Sequence, residues 1–105
     1  MAEIDEKTML EIERNQQQLQ SIIIQKEALK NQIIEIEKAL NELKNYSENY
    51  CYASYGNILL KKNKESVIKE LEEELELSQI KIKSLETTEN RIKERLKEIQ
   101  EKLKG

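Results

Sequence analysis

Proline, tryptophan, phenylalanine and histidine are all missing from the 105 residues, and cysteine occurs once, at Cys51. A single thiol excludes an internal disulfide or a cysteine-built zinc site. Without histidine, and with only two glycines, the chain lacks both the commonest general base and a glycine-rich loop for phosphate. Aromatic residues are scarce, four tyrosines in all, so a compact core would lack its usual large fillers. No aliphatic run exceeds the three residues of Ile22 to Ile24, far short of a membrane span or a signal-peptide core. The net charge of −3, from 18 basic and 21 acidic residues, offers no patch to neutralise a row of phosphates. A zipper-type transcription factor would need a basic region that is not there. The expectation is a cytoplasmic protein with no catalytic, cofactor or metal site, and no nucleic acid or membrane partner.

What remains is rich in Lys, Glu, Leu, Ile and Gln, with 37% of residues charged. That balance belongs to long helices and coiled coils. It also suits a thermophilic source, although AT-rich coding sequence produces the same bias.

Two heptad arrays flank a different centre. Stepping alternately by three and four from Ile12 visits Asn15, Leu19, Ile22, Lys26, Leu29, Ile33, Ile36, Leu40 and Leu43, with eight of the ten positions apolar. The same walk from Ile68 visits Leu71, Leu75, Ser78, Ile82, Leu85, Glu89, Ile92, Leu96, Ile99 and Leu103, with nine of eleven apolar. A period of 3.5 sustained this long signals a coiled-coil seam. Each helix would hold about 40 residues and run roughly 60 Å. Asn63 is the candidate N-cap of the second helix, with Glu65 in its first turn. Glu3, Asp5 and Glu6 serve the first helix in the same way. Lys97, Lys102 and Lys104 close the second, and Gly105 can end it.

Between the arrays all four tyrosines fall in Tyr46 to Tyr55. Residues 50–55 and 58–61 have strand propensity, and Gly56-Asn57 supplies a tight turn. The expected fold is mainly α: one domain, 1–105, with a helix over 1–45, a β-hairpin connector over 46–62 and a second helix over 63–105. Equal helices and a short connector favour an antiparallel two-helix hairpin over one continuous rod.

Four seam positions are polar. Placing Asn15 opposite Glu89 and Lys26 opposite Ser78 sets polar against polar, and apolar against apolar at Ile12–Ile92 and Ile22–Ile82. Slipping a heptad would bring Glu89 beside Ile22 and Lys26 beside Leu85, where unpaired charge is costly. The polar-on-polar register is therefore expected. It leaves the last two turns poorly covered, Leu96 facing Thr8 and Ile99 facing Asp5. Ile4, Met9, Leu10, Leu96, Ile99 and Leu103 could then grip exposed hydrophobic segments of other proteins, or simply fray.

A lone two-stranded hairpin is marginal, and its edges invite further strands. Tyr52, Tyr55, Gly56, Asn57, Ile58, Leu59 and Leu60 are the expected oligomerisation surface, pairing between subunits. Assembly through helices alone, supported by Ile23, Ile24 and Ile34, stays open.

The connector Tyr55-Gly56-Asn57-Ile58-Leu59-Leu60-Lys61, followed by Ser66 to Leu71, resembles the beta class of prefoldin, the archaeal subunits above all. Gln16 to Lys26, Glu37 to Leu43 and Arg91 to Leu96 are similar to that class as well. The resemblance implies one β-hairpin between two helices and a hexamer of two alpha-class and four beta-class chains joined through a double β-barrel. It implies an ATP-independent holdase whose coiled-coil ends capture unfolded protein clients and pass them to a group II chaperonin. The Tyr-rich approach and Cys51 depart from that pattern. The rival reading is a structural coiled-coil scaffold or tether without client binding.

Sharper features each have a plain counterpart. Cys51 could be a reactive thiol, but no cation lies adjacent to lower its pKa, and a small packed residue is the simpler role. Glu70, Glu72, Glu73, Glu74 and Glu76 spread around their helix, as a solvated face does. The basic closing stretch from Arg91 to Lys104 could meet an acidic chaperonin surface, or could balance the helix dipole and the acidic first helix.

Overall fold

The computed structural model describes residues 4–104. Glu3 and Gly105, expected to help begin and end the helices, lie outside them. The order is α1 (Glu6–Lys44), β1 (Tyr50–Tyr55), β2 (Ile58–Asn63) and α2 (Lys64–Lys104).

Each helix starts where a side chain can satisfy its first donors. The Asp5 carboxylate accepts the Thr8 backbone N–H at 2.7 Å, so Asp5 is a cap before the first turn of α1 rather than part of it. Hydrogen bonding to Thr8 holds that carboxyl below its ordinary pKa. Asn63 does the same for α2, its side-chain oxygen accepting the Ser66 N–H at 3.2 Å. Mid-helix threonines are satisfied by their own helix, Thr87 and Thr88 donating back to the Lys83 and Ser84 carbonyls. Asn45 N–H to the Asn41 carbonyl and Tyr46 N–H to the Leu43 carbonyl finish α1.

The strands form a two-stranded antiparallel sheet, with Tyr50 opposite Asn63 and Tyr55 opposite Ile58. Gly56 has φ of 61°, while no other described residue has positive φ. Positive φ at only the first of two central residues is the type II′ pattern, which wants glycine first. The order Gly56-Asn57 is the one this turn requires.

The chain divides into two compact units, one pairing the chain up to Leu29 with the chain from Lys81, the other being Lys30–Ile80. In the first, Glu11 meets Arg95 and Lys26 meets Glu89. In the second, Gln32 bonds Glu74 and Lys44 pairs with Glu72. Numbers rising along α1 meet numbers falling along α2, so the helices run antiparallel in each unit.

The heptad walks are the buried stripe. Every walked position of both helices is buried or half-buried, whereas between residues 12 and 43 only Ala39 joins them from off the walk. Ile22, Ile36, Leu40, Ile92 and Ile99 are the most enclosed aliphatics, each worth roughly 1.5–3 kcal/mol of transfer from water.

The expected register is not the one formed. Were Lys26 opposite Ser78, Glu89 would stand eleven residues further along α2, about 16 Å away along the axis. Two extended side chains and a hydrogen bond span only about 14 Å. Yet Lys26 Nζ donates to Glu89 Oε1 at 2.8 Å. Within this unit the helices are shifted along one another from the expected register, enough to bring Lys26 to Glu89. Neither charge is left bare in the seam, which removes the penalty that argued against such a shift. Coverage follows: Ile99 is only 5% exposed and shares a groove with Ile12, Leu96 and Leu103. The closing turns of α2 are sheathed, not bare.

Candidate functional site

The Lys30–Ile80 unit presents the hairpin. Alternation along a strand sends Cys51, Ala53, Tyr55, Ile58, Leu60 and Lys62 to one face and Tyr50, Tyr52, Ser54, Leu59 and Lys61 to the other. Cys51, Tyr52 and Ala53 line an open groove of about 430 Å³ together with Ala39, Leu43, Val67 and Leu71. The thiol is free and half-buried. Beyond the groove the aliphatics are left in water, Ile58 at 61% and Leu59 at 68% exposure, with Tyr55 and Leu60 also exposed, as is Tyr52 on the groove's own rim.

Lysines flank this surface without burying it. Lys61 Nζ sits 4.2 Å from the centre of the Tyr50 ring and Lys62 Nζ 5.2 Å from that of Tyr55, both within cation–π range. The Tyr50 and Tyr52 rings meet edge to face at 6.0 Å. A bond to Tyr55 and the charge of Glu70 outweigh desolvation and raise the Lys62 pKa. With two strands only, both outer edges keep unpaired backbone groups. Such an edge is a template for further strands, and the exposed aliphatics would be covered by them. The hairpin residues named from the sequence, Tyr52, Tyr55, Gly56, Asn57, Ile58, Leu59 and Leu60, all fall on this one element.

The other unit holds both helix ends. Ile4, Met9 and Leu10 lie 47–50% exposed, whereas Leu96 and Leu103 are half-buried and Ile99 is buried. The six residues expected at this end therefore divide: three face solvent and three belong to the seam. Arg95 clamps this seam from its edge, bonding Glu11 through Nε at 2.6 Å and Nη2 at 2.9 Å. Glu98 adds a contact at 3.3 Å. The bonds to Glu11 and then Glu98 push the guanidinium pKa further up, and the same pair lowers the Glu11 carboxyl.

Apolar residues outside both expected sets are also exposed. Ile23 and Ile24 lie off the seam in this unit, as do Ile34, Leu77 and Ile80 in the hairpin unit. Leu77 and Ile80, three apart on α2, carried a signal in the sequence, since both fall off the walk. Among the described residues no cluster of three or more metal-type ligands occurs. No described helix is long and apolar enough to cross a membrane.

Comparison with known proteins gives one family. A model described as a prefoldin subunit matches residues 6–105. The prefoldin beta subunit of Archaeoglobus fulgidus is 41% identical over 96 residues, covering 90% of this chain and 83% of that one. That of Pyrococcus furiosus is 32% identical over 96 residues, covering 90% and 82%. The crystal structure of the prefoldin beta subunit from Thermococcus strain KS-1 superposes with a TM-score of 0.81 at 28% identity, covering 98% of this chain and 94% of that one.

Proposed function

Because this chain belongs to the prefoldin family, as a beta-class subunit, we propose that it acts within an ATP-independent holdase, capturing non-native proteins and passing them to a group II chaperonin. Prefoldin is a chaperone family rather than an enzyme family, and its subunits form hetero-oligomers with one another. The finer reading concerns this chain's own surfaces. The hairpin of Tyr52 to Leu60 joins alpha-class subunits and further copies of the chain, in a hexamer of two alpha and four beta. The helix ends contact the client, with Ile4, Met9 and Leu10 as the exposed apolar contacts and Leu96, Ile99 and Leu103 behind them. The work is done in the cytoplasm.

The observation that supports this division of labour is the placing of apolar surface. Exposed aliphatics on a sheet with open edges suit backbone pairing between subunits. Half-exposed Met, Leu and Ile on helix ends suit adaptable contact with unrelated apolar segments.

The test is aggregation of a heat- or denaturant-unfolded client, followed by light scattering. The full chain assembled with an alpha-class subunit should suppress scattering. A variant carrying Ile4→Ser, Met9→Ser and Leu10→Ser should keep its assembled mass and lose most of that suppression. If the unmodified assembly has no suppression to lose, the chain is a scaffold or tether instead.

A further inference from the structure

Among the described residues one charged pair on the heptad walks themselves meets across the seam, and we propose that this pair, Lys26 with Glu89, is the element that selects the register of the two helices. The Lys26 and Glu89 side chains are 17% and 11% exposed and meet at 2.8 Å. Ile22 and Ile92, among the most enclosed residues of the chain, stand one turn from them. Lys93 approaches Glu89 at 3.7 Å from the same helix. Among the described residues no buried side-chain polar atom lacks a partner, so neither charge is left buried and unpaired.

Apolar layers along the middle of the seam do not select a register here. The competing one places its mismatches at the ends, Leu96 on Thr8, Ile99 on Asp5, Leu40 on Lys64 and Leu43 on Lys61, and the observed one its own at Ile22, Lys26 and Ser78. The arrangement with Asn15 beside Glu89 and Lys26 beside Ser78 also sets Ile12 on Ile92, Leu19 on Leu85 and Ile22 on Ile82, without one apolar–polar mismatch among them. Nor does the connector select it by length. Five residues, 45–49, separate α1 from β1, and five extended residues can span up to about 17 Å. A slide of one heptad is about 10 Å. Along the middle of the seam, what changes between the two arrangements is the fate of two charges. In the observed one they bond each other; in the competing one about 16 Å along the axis separates them, and neither finds an opposite charge across the seam. Polar seam residues that specify register are well attested in coiled coils.

The register decides what the helix ends present. Observed, Ile99 is enclosed in a groove with Ile12; in the competing register it would face Asp5 and lie open. The pair thus sets how much apolar surface the last turns of α2 expose, although neither residue is near them in sequence.

The experiment moves the lysine by one heptad at constant composition, exchanging Leu19→Lys with Lys26→Leu in the full chain. Disulfide reporters are placed in a Cys51→Ser background. One is Ile12→Cys with Ile99→Cys, which lines the observed groove; the other is Ile12→Cys with Ile92→Cys, which reports the competing register. If the pair selects register, the lysine carries the register with it: cross-linking at position 99 falls and cross-linking at 92 rises, the ratio changing at least tenfold. A folded exchange variant that still cross-links only through position 99 overturns the proposal. If the exchange abolishes helical signal, Lys26→Glu alone is read instead. Mixed cross-linking at 92 and 99 then supports the assignment, and unchanged cross-linking at 99 refutes it. The readout does not involve a client, so it stands apart from the outcome of the holdase test.

Discussion

Met9 and Ile99 are both apolar and both near a helix end, but truncating them should have opposite consequences. Ile99 is 5% exposed and Met9 is 50% exposed. Removing a buried Ile to Ala generally costs 2–5 kcal/mol. The low end, about 2 kcal/mol, applies to Ile99, because a seam of only two helices relaxes readily around a lost side chain. Part of that loss will be local, as opening of the final turns of α2 takes less than global unfolding. Met9→Ala gives up contacts that are already half solvated, so less than about 1 kcal/mol of stability is at stake. Its methionine is instead free to be buried by a client. Full burial of such a side chain is worth roughly 1.5–3 kcal/mol; covering the exposed half adds about half of that, roughly a four- to tenfold change in affinity. Thermal unfolding by circular dichroism, amide exchange at residues 96–104 and client aggregation measured on the same samples separate the two effects. Ile99→Ala should lower the midpoint by several degrees and speed exchange in the last turns. Met9→Ala should leave both alone while raising the chaperone concentration needed for half-suppression several-fold. The reasoning fails if Met9→Ala melts early or if Ile99→Ala is silent in exchange.

Three further outcomes follow from features already described. The bond to Lys26 depresses the Glu89 pKa, and the bond to Glu89 raises that of Lys26, each outweighing desolvation. The acidic member stabilises above its unfolded-state pKa and loses that contribution as pH falls through the depressed folded value; the basic member stabilises below its unfolded-state pKa and loses it as pH rises through the raised one. Melting midpoints should therefore drop at both extremes, and Glu89→Gln should flatten the acid limb. Gly56→Ala meets no atom within 4 Å, so its cost is the backbone at φ 61° alone, about 1–2 kcal/mol, seen as weaker assembly with helix content kept. Leu59→Lys on the exposed hairpin should reduce hetero-oligomer mass in native mass spectrometry while leaving the helical spectrum unchanged; intact assembly would remove the hairpin from the interface.

The seam was readable because a 3.5-residue period is carried by many residues at once, and each of Ile12 to Leu43 and Ile68 to Leu103 on the walk is indeed covered. The hairpin was readable from local chemistry: tyrosines and aliphatics around Gly56-Asn57, and Asn63 at the cap. Register was not, because layer matching treats a side chain as a point at its own level. Lysine is long, and Lys26 reaches along the seam to Glu89, so a pairing between different layers scored as a mismatch. The expected exposure of Ile99 rests on the layer-matched register and falls with it. Ile4, Met9 and Leu10, which precede the walk, came out as exposed because their position did not depend on it.

Asn63 ends β2 and caps α2 in the same breath, with Lys64 N–H bonded to the Asn49 carbonyl at 2.9 Å. No spacer stands between sheet and helix on that side. One residue inserted after Asn63 would turn the start of α2 by about 100° relative to the hairpin, swinging Val67 and Leu71 away from the groove they share with Cys51 and Ala53. An insertion among residues 45–49 meets no such phase constraint. The two junctions of one connector should thus tolerate length changes very unequally, the chain's second crossing being geared and its first one slack.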